Sequence, residues 1–390
     1  MLQVSQTNVQ DIKFDQVGIL KVFEIRPLYG MRFSISKIYY FCATFIRMSF
    51  RFLGVLLTIT FIFSSCGSKR NPEASFYYWK SVFRLSSVEK QTLSQLQVSR
   101  LYVKFFDVDW NDETRQALPV AEIRFAEPVP ASLTVVPTVF ITNRTMRQIP
   151  ESQLDDLAHK LVTKLTSMMQ EQKLTLSEIQ LDCDWSGKSR ETFFRLVSLV
   201  KTKVAARAIL LSATIRLHQL KYIGRTGVPP VDKGVLMFYN IGNLDGSNTD
   251  NSIMDLTIAR QYLRRLKEYP LPLDVALPVY RWAVLTREDR IVNLLTNLTL
   301  ESLTDTSRYE PIGEKKIRVR QSHYLQSVYL YPGDELRFEA VSPDQLEEAA
   351  DMLTPIINQP NPSVIFYYLD ESTVTRYAPK TLETVVRRFR

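Results

Sequence analysis

Ile179-Gln180-Leu181-Asp182-Cys183-Asp184-Trp185-Ser186 begins as an apolar strand and ends in polar residues. Strand side chains point to opposite faces in turn, so Asp182, Asp184 and Ser186 share one face and Cys183 takes the other. Asp182 lies too far inside the run to serve as a helix cap. Two carboxylates are therefore aimed into the same interior, where their repulsion raises one pKa unless a partner compensates. The same pattern recurs on both sides. Short apolar runs over 98–106, 120–126, 134–141, 178–184, 209–215, 234–241, 274–282 and 364–369 read as strands. Between several of them apolar residues fall at helical spacing, as in Leu154, Leu157, Ala158, Leu161, Val162 and Leu165, or Phe193, Leu196, Val197 and Val200. Strands alternating with helices imply parallel strands joined by crossovers. Eight of them in a body of about 300 residues imply an α/β protein of the closed (β/α)8 TIM-barrel type. No glycine-rich phosphate loop follows any strand, which argues against an open nucleotide-binding sheet.

The seventh and eighth strands are separated by a small α+β insertion at about 284–361. In it Lys316 to Arg320, Ser327 to Tyr331 and Glu335 to Ala340 read as short antiparallel strands around the Pro332-Gly333-Asp334 turn. Ser342-Pro343-Asp344 then starts a helix, with serine as cap and acids in the first turn.

The 390 residues are 45% hydrophobic and 23% charged, which excludes a disordered or fibrous chain. Three His and three Cys are scattered, against a zinc-finger or disulfide framework. Net charge is +8, but residues 1–65 hold seven basic and three acidic side chains, so about half the excess lies there. The dispersed remainder gives no reason to expect a nucleic-acid partner.

Residues 48–65 read as an export signal. Arg47 and Arg51 form a cationic front, and Phe52 to Phe63 is a 12-residue apolar run. That is short of the roughly 20 residues a membrane-spanning helix needs and fits a signal core. Ser64-Ser65-Cys66-Gly67 resembles the end of a lipoprotein signal, where the cysteine is acylated and becomes the mature N-terminus. Met48 is then the true start, and residues 1–47 are a misread upstream extension. Residues 66–96 read as a tether and an N-terminal helix, and 97–390 as the barrel domain. The body is expected in the cell envelope, on the periplasmic side of the outer membrane, held to lipid through Cys66.

In a barrel the carboxyl ends of the strands carry the site. Those ends hold Asp107 and Asp109, Glu127, Asp182 and Asp184, Arg216 and His218, Tyr239 and Asn240, Tyr280 and Trp282, and Tyr368 and Asp370. Carboxylates bind hydroxyls and do acid–base work, and flat rings stack on sugar faces. The pattern points to a carbohydrate site. Trp110, Trp185, Tyr239, Tyr280 and Trp282 are the stacking candidates, and Asp107, Asp109 and Asn240 polar contacts. Asp107, Asp182 and Asp184 offer oxygens suited to a divalent cation, but no histidine stands beside them in sequence, and neither metal nor cofactor is expected.

Here the chain resembles the chitinase-like glycoside hydrolases of family 18. Their fourth strand carries Asp-x-Asp-x-Glu, matched by Asp182-Cys183-Asp184-Trp185-Ser186. Leu236-Met237-Phe238-Tyr239-Asn240 is similar to their Met-x-Tyr-Asp, and Ala276-Leu277-Pro278-Val279-Tyr280 to their Gly-x-Pro-x-Tyr. The resemblance implies that Asp184 and Tyr239 contact a substrate acetamide, with Asp182 in support. The family's proton-donating Glu is replaced by Ser186, whose hydroxyl cannot protonate a leaving oxygen near neutral pH. Two outcomes follow. One is a divergent glycoside hydrolase in which Glu127, Asp107 or Asp109 supplies the missing acid against Asp184, with Asp182 and Asp184 in the catalytic group. The other is a non-catalytic barrel that binds a glycan.

Overall fold

The computed structural model describes residues 70–242, 244, 251–357 and 359–390. The extension at 1–47, the signal at 48–65 and Cys66 lie outside the described residues. The described residues fall in one compact unit. In chain order its strands are β1 (Glu73–Tyr78), β2 (Val82–Phe83), β3 (Arg100–Asn111), β4 (Gln116–Val120), β5 (Arg124–Phe125), β6 (Thr134–Ile141), β7 (Glu178–Cys183), β8 (Leu210–Arg216) and β9 (Lys233–Met237). They continue as β10 (Leu273–Pro278), β11 (Arg281–Arg287), β12 (Arg290–Thr296), β13 (Tyr309–Gly313), β14 (Lys316–Val319), β15 (His323–Leu325), β16 (Val328–Leu330), β17 (Glu335–Ala340) and β18 (Ser363–Tyr367).

Eight parallel strands, in the order β1-β3-β6-β7-β8-β9-β10-β18, close into a barrel because β1 pairs with both β18 and β3. Strands covered on both faces lose the hydrophobic–polar alternation of a half-exposed sheet. Accordingly, every residue of β7 and β10 is buried. Helices such as Leu154–Glu171, Arg190–Ala205 and Pro379–Arg387 press apolar faces onto the outside. Among the described residues no helix is long and apolar enough to cross a membrane.

The expected architecture holds, with one strand reassigned. The run at 120–126 is not in the barrel. Most of its neighbour β4 is exposed; β4 folds back antiparallel on the overlong β3, and β5 makes only a two-residue pair with β2. The missing stave is supplied by β1, inside the stretch read as a tether, where five of six residues are buried. The barrel thus begins at Glu73 rather than near 97. Trp282 also moves. β10 ends at Pro278, and Trp282 belongs to β11, the first strand of the insertion.

The insertion is a five-stranded antiparallel sheet, β12-β11-β17-β14-β13, with the β15–β16 hairpin beside it. It has its own apolar core, centred on Leu285, Ile317, Leu330 and Leu336. The helix Pro343–Leu353 follows, opened by a capping box between Ser342 and Gln345.

The amino ends of β7, β9 and β10 are sealed by ions. Lys233 Nζ lies 3.0 Å from Glu178 and 2.9 Å from Asp274. Glu178 also accepts from Ser212 Oγ at 2.7 Å, and Asp274 from the Ser363 amide at 2.8 Å. Burial opposes the charge on Lys233, yet Tyr102, Asp274 and Glu178 around it hold its pKa well above the usual lysine value. This closed floor directs any chemistry to the opposite rim.

Candidate functional site

At the carboxyl end of the barrel lies a cavity of about 360 Å³. Its charged groups are Lys104 and Asp107 from β3, Asp182 from β7 and Arg216 from β8. Trp79, Tyr239, Tyr280 and Tyr367 supply rings from just past or at the strand ends, and Trp282 and Thr296 close one side from the insertion.

Lys104 and Asp107 are three residues apart, a spacing that in a regular strand puts them on opposite faces. They share the inner face because the β3–β6 register slips between Lys104 and Phe106. The extra residue re-aims the strand, as a bulge does beside a site. Lys104 Nζ then sits 3.0 Å from Asp107 Oδ1 and donates to Oδ2 at 3.1 Å. The Oδ1 contact is an ion pair without hydrogen-bond alignment, so that buried oxygen lacks a hydrogen-bond partner.

Asp182 is buried and accepts from Thr214 Oγ1 at 2.6 Å and from Arg216 Nη2 at 3.4 Å. Burial pushes its carboxyl up, against the pull of Arg216 and the Thr214 hydroxyl. Asp184 stands just past the strand, half exposed, on the far side of Arg216. It lines an adjoining hollow of about 210 Å³ with His218 and Tyr262, and the two spaces share Arg216, Tyr239 and Asn240. His218 Nε2 lies 3.1 Å and Arg216 Nε 3.4 Å from Asp184 Oδ1. Burial raises the Asp184 pKa, but the His218 hydrogen bond and Arg216 outweigh it and hold the carboxyl below its ordinary value.

A depressed carboxyl contributes stability above its unfolded pKa and loses it as pH falls through the folded value. His218→Ala should therefore move the Asp184 titration upward, toward that of a free aspartate, in an NMR pH series. An unmoved midpoint would show that His218 does not hold Asp184.

The rings interlock. Tyr239 stacks on Tyr367 at 5.3 Å, and Tyr280 meets Trp282 at 5.3 Å. Asn240 has φ 54°, a left-handed conformation asparagine tolerates better than most residues. Its Oδ1 accepts from Tyr280 at 2.6 Å. The Tyr239 hydroxyl and Arg216 Nε are buried without hydrogen-bond partners. Burial first, then Tyr367, pushes the Tyr239 hydroxyl well above the usual tyrosine pKa, so it stays protonated as a donor.

The fold thus gathers Asp107, Asp182, Tyr239, Asn240, Tyr280 and Trp282 in one cavity, with Asp184 next door. Four candidates stand elsewhere. Glu127 accepts from the Leu85 amide at 3.0 Å and pairs with Lys90 at 3.1 Å, pinning the β2–β5 corner. Asp109 holds Thr142 Oγ1 at 2.7 Å and Arg144 Nη2 at 3.1 Å. Trp110 is buried where β3 meets β4. Trp185 is fully buried, stacked on Phe193 at 5.1 Å, with Nε1 donating to the Thr226 carbonyl at 2.8 Å. Ser186 lines a separate hollow with Gly187, Lys188, Arg190 and Arg225. Trp79, Lys104, Thr296 and Tyr367 belong to the cavity without having been singled out in the sequence. Among the described residues no group of His, Cys, Asp and Glu gathers as a metal site.

No protein-family model matches the chain, and no curated protein matches it in sequence. Solved structures do match in fold. The spore cortex-lytic enzyme SleL of Bacillus cereus superposes with TM-score 0.51 at 14% identity, over 83% of this chain and 76% of the other. SleL of Bacillus megaterium gives 0.51 at 12% identity, over 83% and 75%. A glycoside hydrolase family 18 chitinase of Cycas revoluta, solved with (GlcNAc)3, gives 0.50 at 11% identity, over 80% and 99%. The barrel is built like those of chitinases and SleL, and at these identities the likeness is one of fold.

Proposed function

We propose that the central cavity binds a saccharide and that this barrel is a glycan-binding relative of the glycosidases it resembles. The observation that carries the reading is the lining. Aromatic faces alternate with buried polar atoms that lack a hydrogen-bond partner, namely Asp107 Oδ1, Arg216 Nε and the Tyr239 hydroxyl. Unpaired buried polar atoms are costly, and a ligand that presents hydroxyls and amides beside flat C–H faces answers both features. The Cycas chitinase of the same fold was solved with an N-acetylglucosamine oligomer.

Binding is favoured over hydrolysis because the residue at the family's acid position, Ser186, lies outside this cavity, and Glu127 and Asp109 are engaged elsewhere. One observation supports a hydrolytic second reading. Asp182 and Asp107 line the same cavity, and a pair of carboxyl groups is what glycoside hydrolysis uses. Calorimetric titration of the protein with (GlcNAc)3 and with soluble peptidoglycan fragments, run beside a reducing-end assay, decides between them. The expected result is binding without turnover. Turnover lost in both Asp182→Asn and Asp107→Asn would establish the hydrolytic reading, and neither binding nor turnover would sink both. The anchor belongs to the same proposal. Acylation of Cys66 would hold the barrel at the envelope, and Cys66→Ser should abolish incorporation of a labelled fatty acid.

A further inference from the structure

The β15–β16 hairpin has two unlike faces. Leu325, Val328 and Leu330 turn into the core of the insertion. On the other face Tyr324, Tyr329 and Tyr331 are 72%, 38% and 48% exposed. Tyr324 and Tyr329 are opposite each other in the hairpin register. Their ring centroids are 4.9 Å apart, and Tyr331 lies another 4.9 Å from Tyr329. Scattered exposed rings need no explanation, but three in contact form a patch.

One end of the patch is braced by Arg287. Arg287 lies over the Tyr331 ring at 4.3 Å and donates to the Tyr329 carbonyl at 3.3 Å. Both Asp334 oxygens accept from the same guanidinium at 2.8 Å. That bidentate pair offsets the guanidinium charge beside the rings, so the patch presents mainly aromatic and hydroxyl surface.

The hairpin that carries the patch also touches the cavity wall. The hairpin turns at Gln326 and Ser327, both with positive φ (48° and 65°). Gln326 Nε2 donates to the carbonyl of Thr296 at 3.0 Å, and Thr296 lines the cavity. The hairpin therefore abuts the cavity lip at its turn and carries its tyrosines away from it.

We propose that this tyrosine row is an outer subsite for an uncharged saccharide chain whose end occupies the central cavity. Rigid, hydroxyl-tipped rings offer contact area at low entropic cost and suit a ligand that mixes C–H faces with hydroxyls. The inference rests on the saccharide reading of the cavity and extends it to a chain longer than the cavity holds.

The test is affinity against chain length, measured on the full chain with N-acetylglucosamine oligosaccharides from the disaccharide to the octasaccharide. Wild type should bind long oligomers about tenfold tighter than short ones. The triple variant Tyr324→Ala/Tyr329→Ala/Tyr331→Ala should bind short ones as wild type does and lose the gain. Tyr324→Ala alone, at the most exposed ring, guards against misfolding and should lose part of it. Equal binding of short oligomers with a length gain unchanged in the variants, or with no gain in wild type, overturns the subsite and leaves the cavity reading intact. No binding at any length overturns both. A concentration-dependent dimer that the triple variant abolishes would assign the patch to a second copy of the chain and overturn the proposal.

Discussion

Lys233→Met should lower the unfolding free energy by about 3–5 kcal/mol, the usual cost of removing one partner from a buried ion cluster. Lys233 is the cation between Glu178 and Asp274 at the closed end of the barrel, and both carboxylates are almost wholly buried. Methionine fills most of the volume, so the loss reports charge rather than a cavity. Sign and pH range follow from the direction of the lysine shift. A pKa raised in the folded state stabilises fully below the unfolded value and fades only as pH rises through the folded one. In wild type the contribution is therefore intact at neutral pH and lost in strong alkali. Urea denaturation at several pH values measures both. A loss under 1 kcal/mol would show that the cluster is not holding the floor together.

Trp282→Ala should weaken saccharide binding at least about thirty-fold, a loss of roughly 2 kcal/mol, as expected for a central aromatic contact. Trp282 lines the cavity, packs on Tyr280, and is fixed through Nε1 to Glu339 Oε2 at 2.9 Å. Glu339 also accepts from the Ser252 amide at 2.9 Å and from Arg337 Nε at 2.7 Å, so the ring is held by a fully engaged carboxylate. Trp185→Phe is the contrasting variant. It gives up the bond to the Thr226 carbonyl beneath the helix Arg190–Ala205 and should lower stability by about 1–2 kcal/mol while leaving binding unchanged. Equal effects of the two on binding would mean that the cavity wall is not the contact surface.

The two tryptophans show what the sequence carried and what it lacked. Both end strand-like runs, and residue type alone does not say which faces a cavity. The inward aim of Asp182 is legible because strand alternation is strict and Gln180, two residues earlier, shares its face, accepting from Tyr77 at 2.8 Å. Tyr239 and Tyr280 were legible for the same reason, one at each of two successive strand ends. Lys104 was not, because only the register slip at Phe105 brings it beside Asp107, and such a slip leaves no mark in composition. Trp79 is not legible either, because the strand before it carries little local signal. Glu73–Tyr78 is short and follows a polar stretch, and its burial depends on pairing with β18 almost 300 residues away. Thr296 reaches the cavity only because the insertion folds back over the rim, a long-range closure that local pattern does not encode. Glu127 has the right chemistry at the wrong corner, since the run that carries it is not a barrel strand.

The most direct measurement is a crystal structure of the protein grown with (GlcNAc)3. The account predicts sugar density in the cavity between Tyr239, Trp282 and Asp107, with ligand polar atoms within hydrogen-bond distance of the Tyr239 hydroxyl and Arg216 Nε. An empty cavity at saturating sugar, or sugar held only at a surface remote from Asp182, would contradict it.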